Sequence, residues 1–203
     1  GSEAGNSIAA VLTVDVNPSG KLPFTFPNSL KEVGAHALGE YPGVKRTDGS
    51  NILDEKYNES IFVGYRWDDK EHITPLFPFG HGLSYTTFAY GKVESDKRVM
   101  TAHDTLTITV PVTNTGKREG AEVYSSTSEL EILFASPVKE LKGFSKVRLR
   151  PGETKNVTFT IDRSSLCFFN DQLHQWVAEP GKFEAIIAAS ATDIKSRIAF
   201  TLK

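Results

Sequence analysis

Hydrophobic and polar residues alternate along most of the chain beyond about residue 90. In the clearest stretch, Leu106, Ile108, Val110 and Val112 alternate with threonines and one proline. A period of two places these apolar side chains on one face, which predicts a strand with one buried side. About seven such strands over roughly 110 residues predict an antiparallel sandwich of immunoglobulin-like type. The other strands are centred near Val123, Val147, Val157, Val177, Ala185 and Phe200.

The first ninety residues show a weaker pattern. Apolar residues at helical spacing, Ile8 and Leu12 among them, predict one short helix over residues 6–14, packed along that stripe. Alternation over residues 61–67 predicts a strand, whereas residues 27–59 show no sustained period. One helix and two or three strands cannot close a core. We therefore expect this half to complete a structure whose remainder lies elsewhere.

Composition narrows the class of protein. The chain has 203 residues, 39% hydrophobic residues and a net charge of −2, which is typical of a globular protein. No apolar run is long enough for a membrane helix. The chain also has no cluster of basic residues, which argues against nucleic acid as a partner. One cysteine, Cys167, allows no internal disulfide and no thiolate zinc site. We expect no metal or cofactor. The first residues carry no signal-peptide pattern. A longer precursor could carry one, so a periplasmic or secreted location stays open.

Several blocks resemble a known family. Three blocks in the first half are similar, in the same order, to blocks near the end of the second catalytic domain of glycoside hydrolase family 3: residues 15–23 (DVNPSGKLP), 61–67 (IFVGYRW) and 75–85 (PLFPFGHGLSY). Three later blocks resemble the C-terminal fibronectin type III-like domain of that family: residues 113–116 (TNTG), 139–144 (KELKGF) and 151–153 (PGE).

The resemblance implies the C-terminal, structural portion of an exo-acting β-glycosidase, of the β-glucosidase or β-xylosidase kind. Its fold would be mainly β: residues 1–90 would form the end of an α/β sandwich domain and a linker, and residues 91–203 a fibronectin type III-like sandwich. The partners would be the remaining catalytic domains and, through the complete enzyme, an oligosaccharide. Neither the nucleophile motif nor the acid/base motif of the family is present, so we expect no catalytic residue and no activity from this chain alone.

The chain departs from the family pattern at three places. Val14 and Ser60 stand where the family commonly has glycine. After residues 121–123 the expected apolar strand is replaced by a polar run. The apolar residues come late, which leaves the register of this strand open: Leu130, Ile132, Leu133 and Phe134.

Two residues are candidates for binding substrate. The guanidinium of Arg66 and the ring of Trp67 suit the hydroxyl and CH groups of a sugar. The alternative is interdomain packing, with Trp67 buried and Arg66 paired to a carboxylate. Asp68 and Asp69 would point to opposite faces of an extended chain, so they are poorly placed to form a catalytic pair about 5 Å apart. We expect them in a solvated turn instead. His81, between two glycines, is expected in an interdomain turn.

The aromatic residues before the sandwich are expected to brace it against the catalytic domains, chiefly through Tyr65, Trp67, Phe77 and Phe79. Two other interpretations stay open. One is a stand-alone immunoglobulin-like binding or adhesion module, which would require residues 1–90 to fold independently. The other is one piece of a cleaved enzyme, active only with its partner. The choice between glucoside and xyloside also stays open.

Overall fold

The computed structural model describes residues 2–130 and 138–203. Within them lie two 3-10 helices, Leu30–Glu32 and Ser164–Leu166, and three α-helices: α1 Ala4–Leu12, α2 Gly34–Ala37 and α3 Tyr65–Glu71. None of the helices in this part of the chain has the length and apolar character needed to cross a bilayer. The helix predicted over residues 6–14 is confirmed as α1.

Thirteen strands lie in the same described part: β1 Val44–Lys45, β2 Leu53–Asp54, β3 Phe88–Tyr90, β4 Glu94–Ser95, β5 Val99–Met100, β6 Leu106–Asn114, β7 Gly120–Leu130, β8 Glu140–Leu149, β9 Thr154–Ile161, β10 Phe168–Asn170, β11 Gln175–Val177, β12 Gly181–Ala188 and β13 Ile194–Leu202. The strands predicted from period-two alternation after residue 90 are confirmed.

Two sheets form the sandwich. The five-stranded sheet has the order β5-β13-β12-β7-β8, and in the other sheet β3, β4 and β9 all pair with β6. All of these pairs are antiparallel except β5 with β13, which is parallel. The small hairpins β1-β2 and β10-β11 stand apart from both sheets. The fold is thus mainly β, as the sequence indicates.

The hydrophobic core lies between the two sheets. The alternating residues of β6 are all fully buried, because each faces the opposite sheet. Their partners come from β9, β12 and β13, with the stacked rings of Phe183 and Phe200 5.4 Å apart. Apart from Trp67, every buried hydrophobic side chain in the described chain belongs to residues 100–202.

The prediction of a strand over residues 61–67 is wrong. Residues 58–61 form turns, Gly64 has φ 60°, and α3 begins at Tyr65. The helix ends at Glu71, and His72, which follows it, adopts the left-handed conformation with φ 54°. The alternating pattern misleads because in a helix Tyr65 and Trp67 lie on different faces, whereas Tyr65 and Asp69, one turn apart, share a face. That face packs on the sandwich.

The register left open after residues 121–123 is defined as far as Leu130. Strand β7 pairs with both β8 and β12, and its pairing with β8 shifts between Ser126 and Thr127. This irregularity lies in the polar run that replaces the expected apolar strand. The late apolar residues Ile132, Leu133 and Phe134 lie outside the described residues.

Candidate functional site

Helix α3 is fastened to the first residues of strand β8 by ion pairs. Arg66 Nη2 donates to Glu140 Oε1 at 2.6 Å, and Lys142 Nζ donates to Glu140 Oε2 at 2.7 Å. Asp69, on the next turn of α3, pairs with the largely buried Lys139. A buried ammonium is tolerated when a carboxylate pairs with it, so Lys139 and Asp69 each require the other. Two charged side chains of α3, Arg66 and Asp69, thus meet opposite charges on the first residue of β8 and on the residue before it.

We define the junction as α3 and residues 77–80 packed on β8 and β12. A hydrogen bond and apolar contacts complete it. Leu141 N donates to Tyr65 Oη at 3.1 Å, and the Tyr65 ring lies 5.4 Å from that of Phe79. Beneath them Ile186, on the outer face of β12, is fully buried. The gap between these groups is only about 10 Å³, too small for a ligand.

Backbone contacts tie residues 77–80 to the loop after β12. Ala191 N donates to Phe79 O at 2.8 Å. Gly80 has φ +81°, and a Cβ there would lie 3.0 Å from the Cα of Ser190. Both the backbone conformation and the close approach therefore favour glycine at this position. The PLFPFGHGLSY block is explained by this contact.

Asn17 provides a second link between the first half and the sandwich. Its Nδ2 donates to Glu119 O at 2.9 Å, and its Oδ1 accepts from Ser84 Oγ at 2.9 Å and Tyr85 N at 2.8 Å. Nearby, Lys21 pairs with Glu122 at 2.7 Å, and both side chains are largely buried. The DVNPSGKLP block thus serves to join three segments that are distant in sequence.

Asn114 connects the same region to the inside of the sandwich. Its side chain is fully buried, and Thr86 Oγ1 donates to its Oδ1 at 2.6 Å. Its Nδ2 donates to the carbonyls of Arg118 and Leu149 at 2.7 and 3.0 Å. A buried amide is stable only when its donors and acceptors are paired, and here they are. The TNTG block is therefore structural.

Trp67 and Arg66, the predicted sugar-binding residues, both occupy packed positions. Trp67 is 6% exposed, and a Cβ added at Gly34 would lie 3.2 Å from its ring. Lys70 Nζ lies 5.2 Å from the centroid of the same ring. Arg66 is engaged with Glu140, the kind of carboxylate partner that the packing alternative requires. Contact of either residue with a sugar stays a prediction.

The prediction that Asp68 and Asp69 lie in a solvated turn is wrong, because both belong to α3. Asp68 is buried, and this burial raises the pKa of its carboxyl, with the charges of Asp69 and Glu32 adding to the effect. Thr25 and Lys139 act in the opposite direction on that pKa. Asp69 instead faces β8. The sequence pattern missed both environments because it placed these residues on an extended chain.

The expected bracing residues do not behave alike. Tyr65 and Phe79 contact the sandwich, and Trp67 is buried beside Gly34. Phe77 is partly exposed and lies against Phe26 and His81. The main chains of Phe26 and Phe77 exchange two hydrogen bonds, of 2.8 and 3.2 Å. The junction therefore rests on two of the four predicted aromatics and on charges that aromatic content does not reveal.

The first half exposes the apolar faces that its sequence predicts to be packed. In α1, Ile8 is 61% exposed and Leu12 is 73% exposed, and no residue of the helix is buried. Further exposed large apolar residues in this half include Phe24, Leu30, Val63 and Leu83. Large exposed apolar patches on folded proteins mark sites that bind other proteins, membranes or ligands.

Two of the three departures from the family pattern fall on left-handed backbone. Val14 has φ 68° and Ser60 has φ 55°. A side chain with a Cβ is strained in this region, and a β-branched valine more so, whereas glycine is not. The glycines of the family pattern thus have a conformational reason, which this chain forgoes at two positions.

Comparisons with known proteins agree with this architecture. The model of the Glycosyl hydrolase family 3 C-terminal domain matches residues 1–85, and that of the Fibronectin type III-like domain matches residues 119–191. The chain belongs to glycoside hydrolase family 3. It corresponds to the C-terminal part of the family's longer members.

Relatives and solved structures match almost the whole chain. Beta-glucosidase BoGH3A of Bacteroides ovatus is 46% identical over 98% of this chain and 26% of its own length. Thermostable beta-glucosidase B of Acetivibrio thermocellus is 40% identical over 96% of this chain and 25% of its own. Beta-glucosidase 3B from Thermotoga neapolitana, solved in complex with alpha-D-glucose, has a TM-score of 0.85 at 37% identity over 98% of this chain and 26% of its own. The chain thus spans about a quarter of the length of these relatives.

Proposed function

We propose that this chain is the structural C-terminal portion of an exo-acting β-glycosidase that removes terminal β-linked glucose from oligosaccharides. Its role is to hold the end of the α/β sandwich domain against the fibronectin-like sandwich. The catalytic carboxylates would lie on preceding polypeptide, and the chain alone would be inactive. The β-glucosidase names of its relatives favour glucose over xylose.

The junction is the observation that carries this proposal. It couples a half without a core to a half with a complete one, through two ion pairs and a buried isoleucine. Burying an isoleucine side chain contributes about 2 kcal/mol, so the burial of Ile186 alone stabilises the contact between the two halves. A stand-alone binding module would need residues 1–90 to bury apolar side chains among themselves, and Trp67 is the one buried hydrophobic residue in their described part.

The partner implied by this arrangement is preceding polypeptide that covers the exposed faces of the first half. The apolar stripe of α1, with Ile8 and Leu12, suits a sheet or helix of the α/β domain. The chain covers about a quarter of its relatives, which leaves ample polypeptide to supply that cover. Residues 1–90 would then be the end of the α/β domain with its linker, and residues 91–203 the fibronectin-like domain.

Activity assays test the proposal. The purified 203-residue chain and a version extended by the polypeptide that precedes it in its reading frame would be assayed on 4-nitrophenyl β-glucoside and β-xyloside. We expect hydrolysis of the glucoside by the extended protein and none by the chain alone. Turnover by the purified chain, or an extended protein without glycosidase activity, would overturn the proposal.

The same assay separates the two roles of Arg66. If Arg66 acts in packing, Arg66→Ala in the extended protein lowers the melting temperature and leaves KM for the glucoside unchanged. A raised KM with an unchanged melting temperature would instead support contact between Arg66 and the sugar.

A further inference from the structure

Two aromatic side chains are exposed together on the hairpin β10-β11. Phe169 and Trp176 are directly opposite each other in the register, so their side chains share one face. Their rings are 5.7 Å apart at an interplanar angle of 72°. Trp176 is 66% exposed and Phe169 is 51% exposed. The pair offers a rigid aromatic surface to solvent.

The fold does not explain this exposure. On the other side of the hairpin Phe168 and Val177 are half-buried, and the adjoining Leu166 and Ala178 belong to or pack on the core. The hairpin is therefore anchored from behind, while its outer face contacts nothing in the described chain that would cover it. Phe169, Leu173 and Trp176 lie on this hairpin and make up half of the exposed large apolar residues of the described sandwich. The other three are Val99, Val138 and Phe144.

The hairpin's polar groups indicate the class of ligand. Residues 168–177 contain no lysine or arginine, which disfavours phosphate or nucleic acid. Three amides, Asn170, Gln172 and Gln175, flank one carboxylate, Asp171, and His174. Asn170 Oδ1 accepts from the backbone N of residues 172 and 173 at 3.0 and 2.9 Å, which fixes the turn beside the rings. Aromatic faces next to neutral amides suit a neutral polyhydroxylated ligand.

We propose that Trp176 and Phe169 form an accessory binding surface for neutral oligosaccharides, separate from any catalytic site. The face of an indole ring carries partial negative charge, and the axial C–H groups of a β-linked pyranose carry partial positive charge, so the two stack. The choice of saccharide over other neutral ligands rests on the proposed function. The surface would hold a longer substrate on the sandwich while its end is processed elsewhere.

Calorimetric titration of the 203-residue chain tests this proposal. The probes are cellohexaose, laminarihexaose and xylohexaose, which distinguish linkage and sugar. We expect saturable binding of at least one hexasaccharide with Kd on the order of 1 mM. Intrinsic fluorescence locates the event: Trp67 is buried, so a blue shift on binding reports Trp176.

Variants decide whether the two rings are responsible. Trp176→Ala is expected to weaken binding at least tenfold and Phe169→Ala several-fold, whereas Trp176→Phe retains part of the affinity and controls for folding. Phe144→Ala removes another highly exposed aromatic side chain, on β8, and should leave Kd unchanged.

Absence of saturable binding by all three saccharides, or unchanged binding by Trp176→Ala, would overturn the proposal. Loss of the fluorescence response in the extended protein would also overturn it, because preceding polypeptide would then cover the surface. These outcomes are independent of the activity assay, which can succeed or fail whether or not the hairpin binds saccharide.

Discussion

Arg66 Nη2 and Glu140 Oε1 lie 2.6 Å apart, although 74 positions separate the two residues in the sequence. This pair joins the segment that lacks a core to the edge strand of the five-stranded sheet. Because both side chains are about one third exposed, at 31% and 33%, solvent screens their attraction. The contact therefore contributes modestly to stability, and its value lies in orienting α3.

A double-mutant cycle measures that contribution. Arg66→Ala and Glu140→Ala, separately and combined, are expected to show a coupling free energy of about 0.5–1 kcal/mol. The cycle subtracts the separate loss of the Lys142 contact. Urea unfolding would be followed by the fluorescence of Trp67, which lies beside Arg66 on α3. Arg46→Ala, in the exposed β1-β2 hairpin, is the control and should have little effect. A coupling energy indistinguishable from zero would contradict the assignment.

Asn114 is expected to be indispensable to the sandwich. Asn114→Ala would leave the buried carbonyl of Leu149, the partly buried carbonyl of Arg118 and the buried hydroxyl of Thr86 without their partner. Each lost partner costs about 1–3 kcal/mol, so we expect a loss of roughly 3 kcal/mol or more in the free energy of unfolding. Asn156→Ala, on the exposed face of β9, is the matched control and should change it by less than about 0.5 kcal/mol. Similar urea midpoints for the two variants would argue against the buried network.

Val14→Gly is expected to stabilise the chain. The left-handed φ of 68° is unfavourable for valine by about 1–2 kcal/mol, which exceeds the entropic cost of a glycine. We expect a gain of roughly 0.5–1 kcal/mol in thermal or urea unfolding. Thr13→Gly is the control: Thr13 has right-handed helical φ and donates to Ala9 O at 2.9 Å, so glycine there should destabilise. A lower melting temperature for Val14→Gly would refute the strain argument.

Asp68 predicts a specific dependence of stability on pH. Burial raises the pKa of its carboxyl above the value of 3.8 in the unfolded chain, so the folded state binds the proton more tightly. The contribution of Asp68 to stability is therefore greatest below pH 3.8, and it is lost as the pH rises through the pKa of this carboxyl in the folded state. Asp68→Asn should be more stable than the parent at neutral pH, and the advantage should vanish in acid.

Asp104 provides a control of opposite sign. Hydrogen bonds from the backbone and side chain of Thr101 lower the pKa of the Asp104 carboxyl. Its contribution is present at neutral pH and lost as the pH falls, so Asp104→Asn should be less stable than the parent at neutral pH. Urea midpoints measured between pH 3 and 8 would check both variants. The same sign for both would show that the burial of Asp68 is not responsible.

The sandwich could be predicted from sequence because period-two alternation reports directly on which face of a strand is buried. Residues of β6 follow this rule at every position, and those of β9 follow it from Asn156 to Ile161. Helix α3 was not predicted because the aromatic residues at its start, Tyr65 and Trp67, continue the alternation of Ile61 and Val63, and because the left-handed backbone of Ser60 and Gly64 leaves no mark in that pattern. The partners of Arg66 and Asp69 could not be found either, since only the folded topology brings β8 next to α3. The sequence does contain matching charges: Arg66 and Asp69 in one block, and Lys139 and Glu140 in the KELKGF block. Each charge has an opposite partner in the other block.

Amide hydrogen exchange across α1 tests the central claim most directly, namely that the first half needs preceding polypeptide to cover it. It would be measured in the 203-residue chain and in the extended protein. We predict that the amides of Ala4–Leu12 exchange rapidly in the chain alone and become protected by at least about 100-fold in the extended protein. Equal protection of α1 in the two proteins would contradict the account.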